Sequence, residues 1–154
     1  MQIDINTHTP FRSGTFSSFV SSENRCTHVG ENKGHDMVRH FQMDGGVLPK
    51  GKNPERCDYL LLNDSIRRAY FIELKGSDLT KAISQIEASV EMIAASLPDY
   101  SIYKRIIYHT GTKAMQNSNV IKWKMRNKGR VIIKETRYEE SINQSFPSEN
   151  RDDR

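Results

Sequence analysis

The sequence contains only two cysteines, Cys26 and Cys57, among its 154 residues. Two cysteines cannot build the disulfide framework that stabilises small secreted domains, so we expect a protein of the reducing cytoplasm. The pair formed by Cys26 and His28 is not followed by a second compact pair of ligands, which argues against a structural zinc site. A disulfide-rich scaffold and a zinc finger are therefore not predicted.

Long hydrophobic runs are also lacking. No stretch approaches the roughly 20 apolar residues of a transmembrane helix, and the first residues do not combine a basic region with an apolar one. We therefore expect neither a membrane segment nor a signal peptide. Hydrophobic residues make up 36% of the chain and charged residues 27%, which is typical of a soluble globular protein.

The two ends of the chain differ in composition from its middle. Residues 1–34 are rich in Ser, Thr, Asn and Gly, and their pattern defines them poorly, although residues 15–24 could form a short helix. Residues 139–154 are polar, contain Pro147, and are predicted to be a disordered tail. The sequence thus predicts a single domain over residues 1–138.

Acidic residues are missing between Lys104 and Lys134, where the chain has nine Lys or Arg. The tail from residue 139 has five acids and two bases and therefore a charge of −3. Since the whole chain has a net charge of +4, the remainder of the chain carries +7. A basic stretch of this kind favours contact with a nucleic-acid backbone. The residues predicted to make that contact are Lys104, Arg105, Lys113, Lys122, Lys124, Arg126, Lys128 and Arg130.

Trp123 lies within this basic stretch, between Lys122 and Lys124. Its indole could stack on an unpaired base. The alternative, which we favour for Trp123 alone, is that the helix turns the indole into the core.

Two short apolar runs in the middle of the chain each carry acidic residues. The runs are 57–62, CDYLLL, and 69–75, AYFIELK, and the polar residues 63–68 between them suit a hairpin loop. Side chains alternate faces along a strand, so a register that pairs Leu62 with Ala69 would place Asp58 opposite Glu73. A shift of one residue would send Asp58 to the other face. The first register would gather Asp58, Glu73 and Lys75.

Such a cluster has a clear chemical use. Two neighbouring carboxylates repel each other, and a hard cation such as Mg²⁺, or Mn²⁺ in its place, relieves that repulsion through oxygen ligands. A metal also acidifies bound water, and the ammonium group of Lys75 could position that water or stabilise charge on a phosphate. The alternative is an ordinary Glu–Lys pair on a solvated strand face.

Asp58, the gap of 14 residues that follows it and the triplet Glu73-Leu74-Lys75 together resemble the active-site hairpin of the PD-(D/E)xK nuclease superfamily. Asp58 matches the first acid, Glu73 the second and Lys75 the lysine, while Cys57 stands where the family often has proline. The resemblance implies a restriction-endonuclease-like core and metal-dependent hydrolysis of phosphodiester bonds. It implies that Asp58 and Glu73 bind Mg²⁺, with the Leu74 carbonyl as a possible further ligand.

The resemblance also suggests supporting residues. Gln85, on the helix after the triplet, would either face the metal site or lie on the surface. The family often adds an acid from an N-terminal helix, for which Glu23 and Glu31 are the candidates, although a solvated surface role is favoured for both. Asp44 could reach the site, but Asp44-Gly45 more simply indicates a turn.

The remaining periodicities predict an α/β fold with a mixed central sheet flanked by helices. Strands are expected over 35–43 and 101–110, and a helix over 79–97 with Ser77 or Asp78 as its N-cap. A weaker helix over 113–127 and a last strand over 130–138 complete the order strand, strand, strand, helix, strand, helix, strand.

We therefore expect a metal-dependent nuclease, with a deoxyribonuclease favoured over a ribonuclease. The alternative is a non-catalytic nucleic-acid-binding or assembly module that retains the nuclease fold. An adaptor protein would explain neither the triplet nor the basic stretch. Cutting both strands of a duplex with one site per chain would favour a homodimer or a partner protein.

Overall fold

A computed structural model describes residues 1–110 and 117–144. The chain forms nine strands, two α-helices and two 3₁₀ turns over those residues. The strands are β1 (Arg12–Gly14), β2 (Ser18–Glu23), β3 (Cys26–Glu31), β4 (Val38–Gln42), β5 (Tyr59–Asn63), β6 (Arg68–Lys75), β7 (Ser101–Tyr108), β8 (Val131–Glu135) and β9 (Arg137–Ser141). The helices are α1 (Leu79–Ile93) and α2 (Ser118–Arg126), and the 3₁₀ turns are Ile5–Thr7 and Ala94–Ser96.

The central sheet has six strands in the order β1-β4-β5-β6-β7-β8. Strands β4, β5 and β6 form an antiparallel meander, in which residues 43–58 connect β4 to β5 and the short turn 64–67 connects β5 to β6. Strands β6, β7 and β8 are parallel, and each parallel step needs a crossover, which α1 and α2 provide. The protein is thus an α/β fold with a mixed sheet, as predicted.

A second sheet of three strands, in the order β2-β3-β9, covers the other face of the central sheet. Alternation along β5 creates the two layers. Leu60 packs in the core cluster that contains the α1 side chains Ala82 and Ile86, while Leu61 packs with Phe19 and Cys26 of the second sheet. The central sheet is therefore buried on both faces, with helices on one side and strands on the other.

Helix α1 is the element that the sequence predicts best. Its buried residues repeat at helical spacing, and the Asp78 side chain accepts a hydrogen bond of 2.9 Å from the backbone N–H of Lys81. That contact caps one of the free N–H groups of the first turn. The predicted order of strands and helices from β4 to β8 is also confirmed.

Three expectations about local structure are wrong. Residues 15–24 do not form a helix but contain β2, in which the buried Phe19 and Ser21 alternate with exposed neighbours. The strand expected over 130–138 is divided at Thr136, whose φ of 65° turns the chain from β8 in one sheet to β9 in the other. The expected disordered tail begins too early, because β9 extends to Ser141 and Ile142 is fully buried.

None of the helices in the described parts of the chain is long and apolar enough to span a membrane.

Candidate active site

The predicted register of the β5–β6 hairpin is confirmed. Leu62 pairs with Ala69, and Tyr59 pairs with Ile72. Asp58, the next residue outward, therefore lies opposite Glu73. The Asp58 Oδ2 atom accepts a hydrogen bond of 2.8 Å from the Leu74 N–H, which fixes the carboxylate beside β6.

Around this pair lies a cleft of about 450 Å³ at the C-terminal end of β6. It is bounded by α1, by the loop over residues 49–56 and by the turn between β2 and β3. Its acidic side chains are Glu23, Asp44, Glu55, Asp58 and Glu73. Its basic side chains are Lys52, Arg56, Lys75 and Lys81.

Three of the acids in this cleft are already paired with a base. Lys75 Nζ lies 3.6 Å from Glu73 Oε2. The other two pairs are Arg56 with Asp44 at 2.8 Å and Lys81 with Glu55 at 3.0 Å. Among the described residues, Asp58 and Glu23 have no cationic partner and Lys52 has no acidic one. The cleft is thus short of positive charge where two carboxylates meet.

The electrostatics of the carboxylates reflect that shortage. Burial, and after it the charge of Glu73, raises the pKa of Asp58 well above its usual range. Burial also raises the pKa of Glu73, against the lowering effect of the Lys75 ammonium group. Glu23 adds to both shifts. A bound cation would offset the cost of burying these charges and reduce the repulsion that Glu23 and Glu73 add.

The oxygen atoms at this point suit a hard divalent cation. Glu73 is 2% exposed, and its Oε1 atom is buried without a hydrogen-bond partner among the described residues. The Leu74 carbonyl, which accepts a hydrogen bond of 2.8 Å from Asn24 Nδ2, lies at the same end of β6. Mg²⁺ keeps several waters and needs few protein ligands. The described residues contain no group of three or more His, Cys, Asp or Glu that could hold a metal ion, so two carboxylates and a carbonyl are the available ligand set.

The supporting residues divide between the site and other roles. Gln85 faces the cleft, where its Nε2 atom donates a hydrogen bond of 3.3 Å to the Arg56 carbonyl. The β2–β3 hairpin brings Glu23 to the site, while Glu31 lies at the other end of β3 and does not line the cleft. Asp44 lines the cleft but is bound to Arg56 and to the Gly51 N–H, which fits the turn role that we favoured.

Two of the predicted backbone contacts are wrong. Lys104 and Arg105 lie on β7, a strand with neighbours on both sides, and both are buried. Lys104 Nζ pairs with Glu87 at 2.6 Å, and Arg105 binds both carboxylate oxygens of Glu140. These two cations therefore stabilise the interior. Lys113 lies outside the described residues.

Five predicted cations remain on the surface, and they follow α1 away from the cleft. Lys122 and Arg126 line a groove with Thr80 and Ser84 of α1. The adjoining depression also contains Arg126, with further cations after it; these are Lys128 and Arg130. Lys124 is exposed on the same helix. We call these five residues the basic track.

Trp123 is fully buried, and its indole N–H donates a hydrogen bond of 2.9 Å to Glu87. The expectation that Trp123 packs in the core is therefore confirmed. Its place in a basic stretch reflects the amphipathic character of α2, in which Val120 is the other buried residue.

Sequence reasoning missed several residues of the cleft. Asn24 and Arg25 both have positive φ, of 53° and 63°, and this tight turn is what directs Glu23 and Asn24 toward β6. The Asn at the first position was the available signal, because Asn tolerates the left-handed region. Lys52 and Lys81 carried no local signal, since their positions follow from the folding of the 49–56 loop against α1.

The cleft also has a tyrosine on its far side. Tyr59 directly follows Asp58 but points to the opposite face of the sheet, where its ring lies 5.5 Å from the His40 ring. Burial raises the pKa of Tyr59, and the charges of Glu23 and Asp58 raise it further. The phenol ring does not line the cleft.

Comparison with family models, with curated proteins and with solved structures found no match to this chain.

Proposed function

We propose that this chain is a metal-dependent nuclease that hydrolyses phosphodiester bonds in DNA, on a restriction-endonuclease-like core. The observation that carries the proposal is the meeting of the buried Glu73 and the half-buried Asp58 across the β5–β6 pairing, with Lys75 on the same face. A structural ion pair would bury one acid with one base. Here a second, half-buried acid lies beside the first without a cationic partner among the described residues, which costs stability unless a cation binds.

The chain's own residues would divide the work as follows. Asp58, Glu73 and the Leu74 carbonyl would hold Mg²⁺ or Mn²⁺, which supplies charge neutralisation and acidifies water when bound. The Lys75 ammonium group, partly exposed to the cleft, would orient the attacking water and stabilise charge on the phosphate. Gln85 would support the site from α1. The attacking water would release a proton to solvent as its oxygen bonds to phosphorus, one ester P–O bond would break, and the leaving alkoxide would take a proton from solvent.

Nucleic acid as the substrate is supported by the basic track. The track begins beside Ser84 of α1, whose hydroxyl donates to Glu55 at the edge of the cleft. A phosphate backbone that follows the five exposed cations would therefore lead into the site. The short cleft and single domain leave the choice of sequence or structure to a dimer partner, another protein or the DNA itself.

A non-catalytic nucleic-acid-binding module that retains the fold is the second candidate. It is favoured by the finding that the described residues contain no group of three or more metal-ligating side chains. A binding module does not explain why Asp58 and Glu73 lie together beside Lys75.

The test is cleavage of plasmid, linear, single-stranded and branched DNA, and of RNA, with Mg²⁺, with Mn²⁺ and with chelator. Wild type is compared with Asp58→Ala and Lys75→Ala, and with Lys33→Ala as a control far from the cleft. We expect metal-dependent cutting that both site variants lose and the control keeps. Salt-sensitive binding without any cutting would support the binding module instead.

A further inference from the structure

On the face of the central sheet opposite to α1, near the end of β5 that borders the cleft, the protein exposes a group of aromatic side chains. Phe11 is 55% exposed and Phe16 is 46% exposed, although both belong to a segment that pairs with the central sheet. The Phe11 ring lies 6.1 Å from the Tyr59 ring, and the Arg12 guanidinium lies 4.2 Å from the Phe16 ring centre. We call Phe11, Phe16, Tyr59 and Arg12 the aromatic shelf.

The shelf is held in place from below. The Phe11 ring packs against the buried His40 ring at a tilt of 44°, with centres 4.5 Å apart, and the Phe11 N–H donates to the His40 carbonyl at 3.0 Å. Phe16 packs edge-on against the buried Phe19. The rings are therefore fixed while one side of Phe11 and of Phe16 stays open to solvent. Rigid, open rings are what a stacking ligand needs, because little freedom is lost when it binds.

The shelf and the candidate catalytic residues meet at the start of β5 but lie on opposite faces of the central sheet. Tyr59 directly follows Asp58, and its side chain packs with the second sheet while Asp58 lines the cleft on the α1 side. Strand β1, which carries Arg12, is at one edge of the central sheet, and β8, which follows α2 and the basic track, is at the other edge. The cleft lies between these edges, at the end of β5 and β6. A single strand that follows the basic track into the cleft would reach the shelf by turning around the end of β5.

From this arrangement we propose that the aromatic shelf binds unpaired bases of a DNA strand next to the phosphate that is cut. The inference rests on the proposed function, and it narrows the substrate to DNA with unpaired nucleotides: a single strand, an overhang or a branch. Bases within a duplex stack on each other and offer no face to a side chain, whereas every unpaired base has one. The charge of the shelf fits this ligand, because Arg12 is exposed and cationic.

The test measures binding in chelator, where no metal-dependent cutting occurs, with one DNA sequence as a single strand, as a blunt duplex and as an overhang. A 2-aminopurine base in the single-stranded part reports stacking on an aromatic ring through loss of its fluorescence. We expect Phe11→Leu to weaken binding of the single strand and the overhang at least about fivefold, and to restore the fluorescence. Blunt duplex binding should change less than about twofold, because its bases are not free to stack.

Two variants separate stacking from a loss of structure. Phe11→Trp keeps an aromatic ring and should preserve both affinity and the fluorescence loss. Met37→Ala removes another exposed apolar side chain, outside the shelf, and should change neither. Wild-type binding and fluorescence in Phe11→Leu would overturn the proposal, as would equal losses on the single strand and the duplex. A change in oligomeric state without a change in DNA binding would show that the shelf contacts a second copy of the chain.

The outcomes distinguish a failure of the shelf proposal from a failure of the proposed nuclease function. Stacking of bases on the shelf without cleavage of any substrate would support the shelf proposal and contradict the proposed catalytic function. Cleavage of a blunt duplex at the wild-type rate by Phe11→Leu, with no preference for unpaired DNA, would retain the nuclease and remove the shelf. An RNA strand of the same sequence is the last arm, and tighter binding of RNA would overturn the assignment to DNA.

Discussion

Two groups of buried charges lie on opposite faces of the central sheet, and they differ in how their carboxylates are satisfied. On the side of the second sheet, Glu140 accepts hydrogen bonds from Arg105 at 2.7 and 3.0 Å and lies 2.7 Å from His28 Nε2. On the α1 side, Lys75 lies 3.6 Å from Glu73, and Asp58 has no cationic partner among the described residues. Both carboxylate oxygens of Glu140 have partners, whereas Glu73 Oε1 is buried without a hydrogen-bond partner among the described residues.

The pKa shifts of the two groups have opposite directions. Burial alone would raise the pKa of Glu140, but hydrogen bonds from His28 and Arg105 outweigh it and lower the pKa below its ordinary value. Burial raises the pKa of Asp58 and of Glu73, the charge of Glu73 adds to the shift of Asp58, and the charge of Glu23 adds to both. A buried charge with all its partners contributes to structure, whereas buried acids that lack a partner indicate a site for a ligand.

The comparison predicts that removing the cation of the cleft costs more activity than stability. Lys75→Met should lower the rate of metal-dependent cleavage by about 10² to 10³, because a charge-stabilising donor at the phosphate is lost. Its thermal midpoint should also fall, because Glu73 loses its cation, but by less than that of Arg105→Leu, since the Lys75–Glu73 pair is longer, at 3.6 Å, and Lys75 is more exposed than Arg105. Rates on the preferred DNA substrate, measured with Lys33→Met as the matched control, check this. Unfolding of Lys75→Met under assay conditions would make the lysine a structural partner of Glu73.

Removing a charge from the satisfied group should have the reverse effect. Arg105→Leu leaves Glu140 buried without its principal partner, and we expect the free energy of unfolding to fall by about 3–5 kcal/mol. Urea denaturation gives this value. The matched control is Arg137→Leu, which breaks the exposed pair of Arg137 with Glu139 and should cost less than about 1 kcal/mol. Equal losses in the two variants would show that the buried pair contributes no more than the exposed one.

Neutralising an acid of the cleft should stabilise the protein. Asp58→Asn keeps an oxygen to accept the Leu74 N–H but removes one of two repelling buried charges, so unfolding in chelator should cost about 1–3 kcal/mol more than in wild type. Mg²⁺ at about 100 times its Kd should add about 2.7 kcal/mol to the stability of wild type and little to that of the variant. Glu55→Gln, which alters an acid paired with Lys81, serves as the control. A destabilised Asp58→Asn would contradict the idea of a charge shortage.

The sequence could predict those site residues that lie close together along the chain, and not those that a distant segment contributes. The register of Asp58 and Glu73 follows from a local hairpin and from alternation along two strands, and it was predicted. Glu23 reaches the site through a separate sheet and a tight turn at Asn24 and Arg25. Arginine is not a usual residue for a left-handed turn, so the hairpin was not recognised.

The basic stretch shows a second limit. Counting charges treated Lys104 and Arg105 as surface residues, because a count does not show which strand lies inside a sheet. The pairing of β7 with both β6 and β8 buries them, and their partners Glu87 and Glu140 are distant in the sequence. The basic residues of α2 were predicted correctly as surface residues, since helical spacing turns Val120 and Trp123 inward and leaves the lysines outside.

The smallest expected effect is the pH dependence of the stability that Glu140 contributes. Because the folded pKa of Glu140 is lowered, its stabilisation is present above the ordinary value of 4.5 and is lost as pH falls through the folded pKa. The buried His40, whose pKa burial lowers from 6.5 to about 3, also loses stability as pH falls below 6.5, but it does so in every variant. The gap between wild type and Glu140→Gln should therefore stay constant from pH about 7 to 5 and shrink below it, by at most about 1.4 kcal/mol per pH unit. Urea denaturation at successive pH values measures both curves, and a gap that persists unchanged to the lowest pH would mean that packing, and not the charge of Glu140, stabilises this side of the sheet.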